Sequence, residues 1–155
     1  MRRLRIVCGM ILMHHNEHEV EMFEKMMKEI GVDEALIVDP CVRNIEQAKL
    51  YLPQDKQHWY YDPDAFAVGI LRPRSIPKNT CHWIYYSMVI HANGDVVPCC
   101  RDTRGKFVMG NLLRQSFNEV WNGDRFKKFR KTLLINQSSI SICSLCSSYP
   151  ASRIK

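Results

Sequence analysis

Residues 81–100 read CHWIYYSMVIHANGDVVPCC. Two apolar segments flank Asn93-Gly94, a pair suited to a two-residue type I′ turn, so the stretch predicts a β-hairpin. One cysteine stands at its start and two at its end. Cys81 and Cys99 are thereby expected on opposite strands, with the turn between them. A disulfide, a structural zinc, an iron–sulfur cluster or plain burial would each account for thiols gathered across a hairpin.

The chain around it is 155 residues long, 46% hydrophobic and 25% charged, which is globular composition and excludes a disordered tail. This length holds one domain, or one domain and a piece of another. The net charge is +6, and residues 101 to 131 alone supply it, with nine Lys/Arg against Asp102, Glu119 and Asp124. The N-terminal MRRLRIVCGMILM imitates a signal peptide, with Arg2, Arg3 and Arg5 ahead of an apolar run. The run stops at His14-His15 without a small-residue cleavage site and is too short to span a bilayer, so it reads as a buried strand. Seven cysteines is an odd number, and nothing indicates export. The expected setting is a reducing cytoplasm with no membrane partner, where thiols ligate metals or clusters more readily than they pair.

Residues 4 to 13 form a continuous apolar run, as in a strand covered on both faces. Asn16 with Glu19 forms a capping-box pattern, and Val20, Phe23, Met26, Met27 and Ile30 recur at helical spacing up to Gly31. Residues 33 to 40 give a second strand. Strand, helix and strand with tight connections make a βα unit of a parallel sheet. Two strands and one helix leave edges and a sheet face uncovered, so residues 1–52 are expected to be the end of a larger α/β domain. Residues 44 to 52 add a further helix. Residues 53–80, with Pro53, Pro63, Pro73 and Pro77, read as a connector at a domain boundary. After the hairpin come two short helices. Ser116 and Glu119 form a second capping box, Asn122-Gly123 ends that helix, and Asp124 is expected to cap the next. In that last helix Phe126, Phe129 and Leu133 form an inward stripe, with the basic residues outside.

Several side-chain groups invite chemistry. His14, Glu17 and His18 fit a His-x-x-Glu-His zinc pattern, but Asn16 as the cap would leave His14 on the preceding loop, and no third ligand stands out. These residues read as polar groups at a strand-to-helix turn. The basic helix 124–134 reads as a solvated face over an aromatic stripe, unaccompanied by any nucleic-acid motif. Cys8 and Cys41 lie in apolar contexts and are expected in the core. Cys143-x-x-Cys146 lets two thiolates reach one metal from a single turn, and Cys81 with Cys99 makes a second half-site. Four soft thiolates suit Zn²⁺ or an Fe–S cluster, and spacing does not separate the two.

Cys81, twelve residues, Gly94, four residues and Cys99, followed by NGDVVPCCRD, FVMGNLL, SFNEVWNG, FKKFRKTL and CSLC, resemble the SPASM/twitch domains that follow the barrel of radical SAM enzymes. The likeness is close over residues 81 to 146, and looser over 1 to 52, which are similar to the last βα elements of the radical SAM partial TIM-type barrel. It implies an α/β protein with a barrel fragment (1–52), a connector (53–80) and a small hairpin-plus-helices domain (81–155). It also implies one auxiliary [4Fe–4S] cluster on Cys81, Cys99, Cys143 and Cys146, used for electron transfer or support of a substrate pocket. Cys100 is then surplus, packed nearby.

Two departures qualify that implication. Ser152 stands where a full SPASM domain continues with a cysteine, so the single-cluster twitch arrangement fits better than a second cluster. No three cysteines have the Cys-x3-Cys-x2-Cys spacing that holds the cluster cleaving S-adenosylmethionine. The chain is therefore expected to be a C-terminal portion, a split partner or a truncated gene product, not catalytic alone. Its expected partners are a missing N-terminal barrel that would supply the S-adenosylmethionine chemistry, and a peptide, sugar or small-metabolite substrate. The competing reading is a zinc-binding interaction module built on the same four cysteines; a nucleic-acid binder is a third.

Overall fold

The computed structural model describes residues 4–75 and 79–146. Arg2, Arg3, Pro77 and Ser152, which entered the reading of the sequence, lie outside them. The protein is mixed α/β with two small sheets, and it divides into two compact units, one up to Arg74 and one from Ser75.

In the first unit β1 (Val7–Ile11) pairs in parallel with β2 (Glu34–Val38), in the register Val7↔Glu34 to Ile11↔Val38. Helix α1 (Val20–Ile30) crosses between them and ends on Gly31, whose φ of 76° is the left-handed conformation a helix stop requires. This is the expected parallel βα unit. Its cover is thinner than the apolar run suggested. Val7 and Ile11 are about half exposed, and of the α1 stripe only Met27 is buried, while Met26 and Ile30 face solvent. A two-stranded sheet is too narrow to cover a whole helix face.

Asn16 does not cap the helix. Its side chain accepts from the Met13 amide and donates to the Ile11 carbonyl, so it closes the turn leaving β1, and Glu17–Glu19 form a 3₁₀ turn before α1. Helix α2 (Ile45–Tyr51) starts on Asn44, which accepts from the Gln47 amide. Residues 53 to 74 fold against this unit. Tyr61 is fully buried, its hydroxyl donating to the Val42 carbonyl at 2.6 Å and accepting from the Val42 amide at 2.8 Å. Trp59 donates to the Pro53 carbonyl, and Asp62 caps α3 (Pro63–Ala67) while pairing with Arg72.

The second unit is built on an antiparallel sheet of β3 (Val89–Ile90), β4 (Asp95–Val97) and β5 (Gly110–Asn111), in that order. The hairpin is where it was expected, but its turn differs. Only Gly94 takes a positive φ, 83°; the amide of Gly94 bonds the His91 carbonyl, and His91 bonds Asp95. This is a three-residue connection with glycine in the left-handed position, not a two-residue type I′ turn, because the latter needs positive φ at Asn93 too. Helix α4 (Phe117–Trp121) starts on the expected Ser116–Glu119 capping box. Helix α5 (Asp124–Asn136) is capped by Gly123; Asp124 is its first residue, with no side-chain cap bond. Phe126, Phe129 and Leu133 point inward as expected and, with Ile84, Val96, Met109, Val120, Ile140 and Cys143, make one core.

Candidate iron–sulfur site

Three segments of the second unit carry its cysteines, and each is fixed by identifiable bonds. Cys81 precedes a 3₁₀ turn (Trp83–Tyr85) and is not on a strand. Two residues before it, Asn79 takes a left-handed φ of 55°, donates to the Ile135 carbonyl and accepts from the Gln137 amide, tying this segment to the end of α5. On its other side Ile84 is buried, and its carbonyl accepts from Arg130 Nε.

Arg130 corrects the expectation that the basic residues of α5 all lie outside. Its guanidinium sits 4.4 Å from the ring centres of both Trp121 and Phe126 and donates to the Trp121 carbonyl. A planar, weakly hydrated cation can stack on aromatic faces in this way, where lysine would not substitute.

Cys99 and Cys100 lie past the end of β4, in a turn closed by Asp102 N–H bonding the Cys99 carbonyl. Neither Cys81 nor Cys99 is therefore a strand residue, because the ladder stops at Val89 and Val97, short of both. Asp102 is 2% exposed; its carboxylate accepts from the Lys106 amide at 2.8 Å and the Phe107 amide at 2.7 Å. A buried carboxylate that takes two backbone donors organises the loop it closes. In the sequence Asp102 registers only as one of three acids in a basic segment; its place three residues ahead of Gly105 is the turn signal available.

The third segment is a run of tight turns. The Cys143 amide bonds the Ile140 carbonyl, and the Cys146 amide bonds that of Cys143, which brings the Cys-x-x-Cys residues onto one side.

The four thiols of Cys81, Cys99, Cys143 and Cys146 share one electrostatic neighbourhood. Burial pushes the Cys143 thiol up to about 12, and Cys99, Cys146 and Cys81 add to that rise while Arg101 opposes it. Cys99 is pushed up to about 11, again first by burial, with Cys100, Cys146 and Cys81 contributing and the Arg101 amide opposing. A metal centre displaces thiol protons when it binds. Among the described residues, no three His, Cys, Asp or Glu side chains are placed to hold a metal ion together, and no disulfide forms. The thiols are neighbours but do not form a closed coordination shell. As a donor set, four soft sulfurs suit an iron–sulfur cluster.

Of the other cysteines, Cys100 is exposed beside the site, its thiol adding to the rise of Cys99, and Cys41 is exposed rather than in the core; it lies past the end of β2, where no strand buries it. Cys8, on β1, is partly buried. His14 pairs with Glu17 at 3.2 Å and His18 with Glu19 at 3.8 Å, as polar groups at a turn. No helix among the described residues is long and apolar enough to cross a membrane.

Comparison with known proteins bears on the same region. Residues 81–147 match the SPASM family, described as an iron–sulfur cluster-binding domain. A 45-residue stretch is 42% identical to the S-adenosyl-L-methionine-dependent 2-deoxy-scyllo-inosamine dehydrogenase of Niallia circulans, and covers 29% of this chain and 18% of that enzyme. The crystal structure of BtrN in an open conformation aligns with 97% of this chain and 64% of its own, at 19% identity and a TM-score of 0.42. The matched portions thus span less than two thirds of either protein. Zinc is not favoured by these matches. Over residues 81–147 the chain is thus similar to the SPASM iron–sulfur cluster-binding domains, and over 45 residues to an S-adenosyl-L-methionine-dependent dehydrogenase.

Proposed function

We propose that Cys81, Cys99, Cys143 and Cys146 together hold one auxiliary [4Fe–4S] cluster, in the single-cluster twitch arrangement. The observation that carries this reading is the shared neighbourhood: Cys143 feels Cys99, Cys146 and Cys81, and Cys99 feels Cys146 and Cys81, although Cys99 and Cys143 come from segments more than forty residues apart. Burial alone explains Cys143 in the core, but not why its thiol lies within the electrostatic reach of three others. Such a cluster accepts and passes single electrons, and four protein thiolates leave no iron open to a substrate. The chain's own part is to supply the ligands, anchor Cys143 in the hydrophobic core with Cys81 packed against it, and hold three separate segments in register.

The reading extends to a whole radical SAM enzyme in which the parallel β1–α1–β2 unit is the end of a partial barrel and other strands cover its open face. That enzyme would act on a peptide, sugar or small metabolite, with the auxiliary cluster relaying an electron or supporting the pocket. The half-exposed Val7 and Ile11 support it, since they offer apolar strand surface for neighbours to cover.

The test is anaerobic reconstitution of the full chain followed by iron, sulfide and zinc analysis. About four iron and four sulfide per chain are expected for a cubane cluster. Zinc at one per chain without sulfide would sink the reading.

A further inference from the structure

Two turns must be brought together for the four thiols to meet: the one after Cys99 and the one at Cys143–Cys146. Arg101 spans them. It lies two residues beyond Cys99, and its Nη1 donates to the Leu145 carbonyl at 3.3 Å, within the Cys-x-x-Cys turn itself. Its backbone is held from below, because Asp102 next to it is buried and fixes the loop through the Lys106 and Phe107 amides. Lys106, from the same loop, donates to Ser141 Oγ at 2.9 Å, a second tie further from the cysteines.

We propose that Arg101 is the positioning residue of the site: it clips the Cys99 turn to the Cys143–Cys146 turn and sets a fixed positive charge beside the ligands. The inference rests on the proposed cysteine ligation and deepens it. Arginine suits the position because its guanidinium stays charged and offers several donors in a rigid plane. When a cluster takes up one electron, supplied for instance by dithionite, no bond need break and its net charge falls by one. A neighbouring cation favours the more negative state, so it raises the reduction potential, one of the levers by which a protein tunes a cluster.

Two readouts on the reconstituted full chain separate clip from charge. The rate of iron release to a chelator reports the clip, and the midpoint potential from an anaerobic dye-mediated titration reports the charge. Arg101→Gln is expected to speed release severalfold and lower the midpoint potential. Arg101→Lys is expected to retain most of the potential while releasing iron faster than the parent. Lys128→Gln removes one exposed positive charge from α5 and is expected to match the parent in both. If the parent chain binds no iron and sulfide, the ligation reading falls. If it binds them and Arg101→Gln leaves both readouts at the parent values, the Arg101 proposal alone falls. If Arg101→Gln does not fold, judged by far-ultraviolet circular dichroism, Arg101→Lys decides: a midpoint potential as far from the parent's as that of an unrelated cluster site overturns the proposal, and one close to it supports the proposal.

Discussion

At Cys99 and Cys100 two adjacent thiols have different surroundings: the first is partly buried and feels Cys146 and Cys81, whereas the second is exposed. Strand alternation would have separated them, but the strand ends at Val97, so it is the turn closed by Asp102 on the Cys99 carbonyl that does so. Replacing Cys99 by Ala is expected to make a reconstituted cluster labile and to lower iron and sulfide together. Replacing Cys100 by Ala should leave both near the parent level. Cys81, Cys143 and Cys146 should behave like Cys99; loss of the cluster on changing Cys100 but not Cys99 would overturn the ligand set. The candidate thiols were legible because cysteine spacing is a one-dimensional signal that survives without a fold. Asn79, Arg101, Asp102 and Arg130 were not, because their partners are main-chain carbonyls and amides or aromatic rings, and none of these leaves a mark in sequence.

At the level of elements the hairpin bears most of the second unit's geometry. A Cβ on Gly94 would stand 2.6 Å from Leu113 Cγ and 2.9 Å from Asn111 Oδ1, at a φ that L-residues rarely adopt. Gly94→Ala is therefore expected to destabilise the unit by about 1–3 kcal/mol, the range for a non-glycine residue held in the left-handed region. A lower midpoint in chemical denaturation followed by tryptophan fluorescence would check it. Beside Gly94, the side-chain bonds from Asn111 and then Asn93 hold the Asp95 carboxyl below its ordinary 3.8. Its folded pKa is thus depressed, so its contribution to stability is present above about pH 3.8 and is lost as pH falls through the lower folded value. Asp95→Asn should flatten that part of the acid-unfolding profile and leave the neutral side little changed; an unaltered acid limb would refute the link. Strands β1 to β4 and helices α1, α2, α4 and α5 followed from apolar periodicity and turn residues, and the Ser116–Glu119 box followed from its spacing, whereas α3 lies inside the stretch read as a connector. The short β5 did not follow, because two residues carry no periodicity. The turn type was missed because Asn-Gly serves both two- and three-residue connections, and the choice is made by where the strands pair.

At the level of the whole molecule the two units differ in what they expose. The first presents Val7, Ile11, Met22 and Ile30, each about half exposed or more, around a two-stranded sheet. Such a surface is expected to self-associate, and sedimentation at rising concentration should show it; a monomer throughout would mean that the sheet face needs no neighbour. The second unit has a closed core and the thiols, but within these 155 residues no cysteine trio has the Cys-x3-Cys-x2-Cys spacing. Reductive cleavage of S-adenosylmethionine needs a cluster with one iron left open to the cofactor, whereas four thiolates on a cubane cluster close every iron. The reconstituted chain should therefore accept an electron from dithionite, seen as bleaching of its cluster absorbance, and yet form no 5′-deoxyadenosine above a protein-free control. Supplying a separate radical SAM barrel would be expected to restore cleavage only through that barrel's own cysteines. If the isolated chain made 5′-deoxyadenosine, one of the four proposed ligands would have to leave an iron free, and single replacements of Cys81, Cys99, Cys143 and Cys146 would identify it as the variant that retained both cluster and turnover.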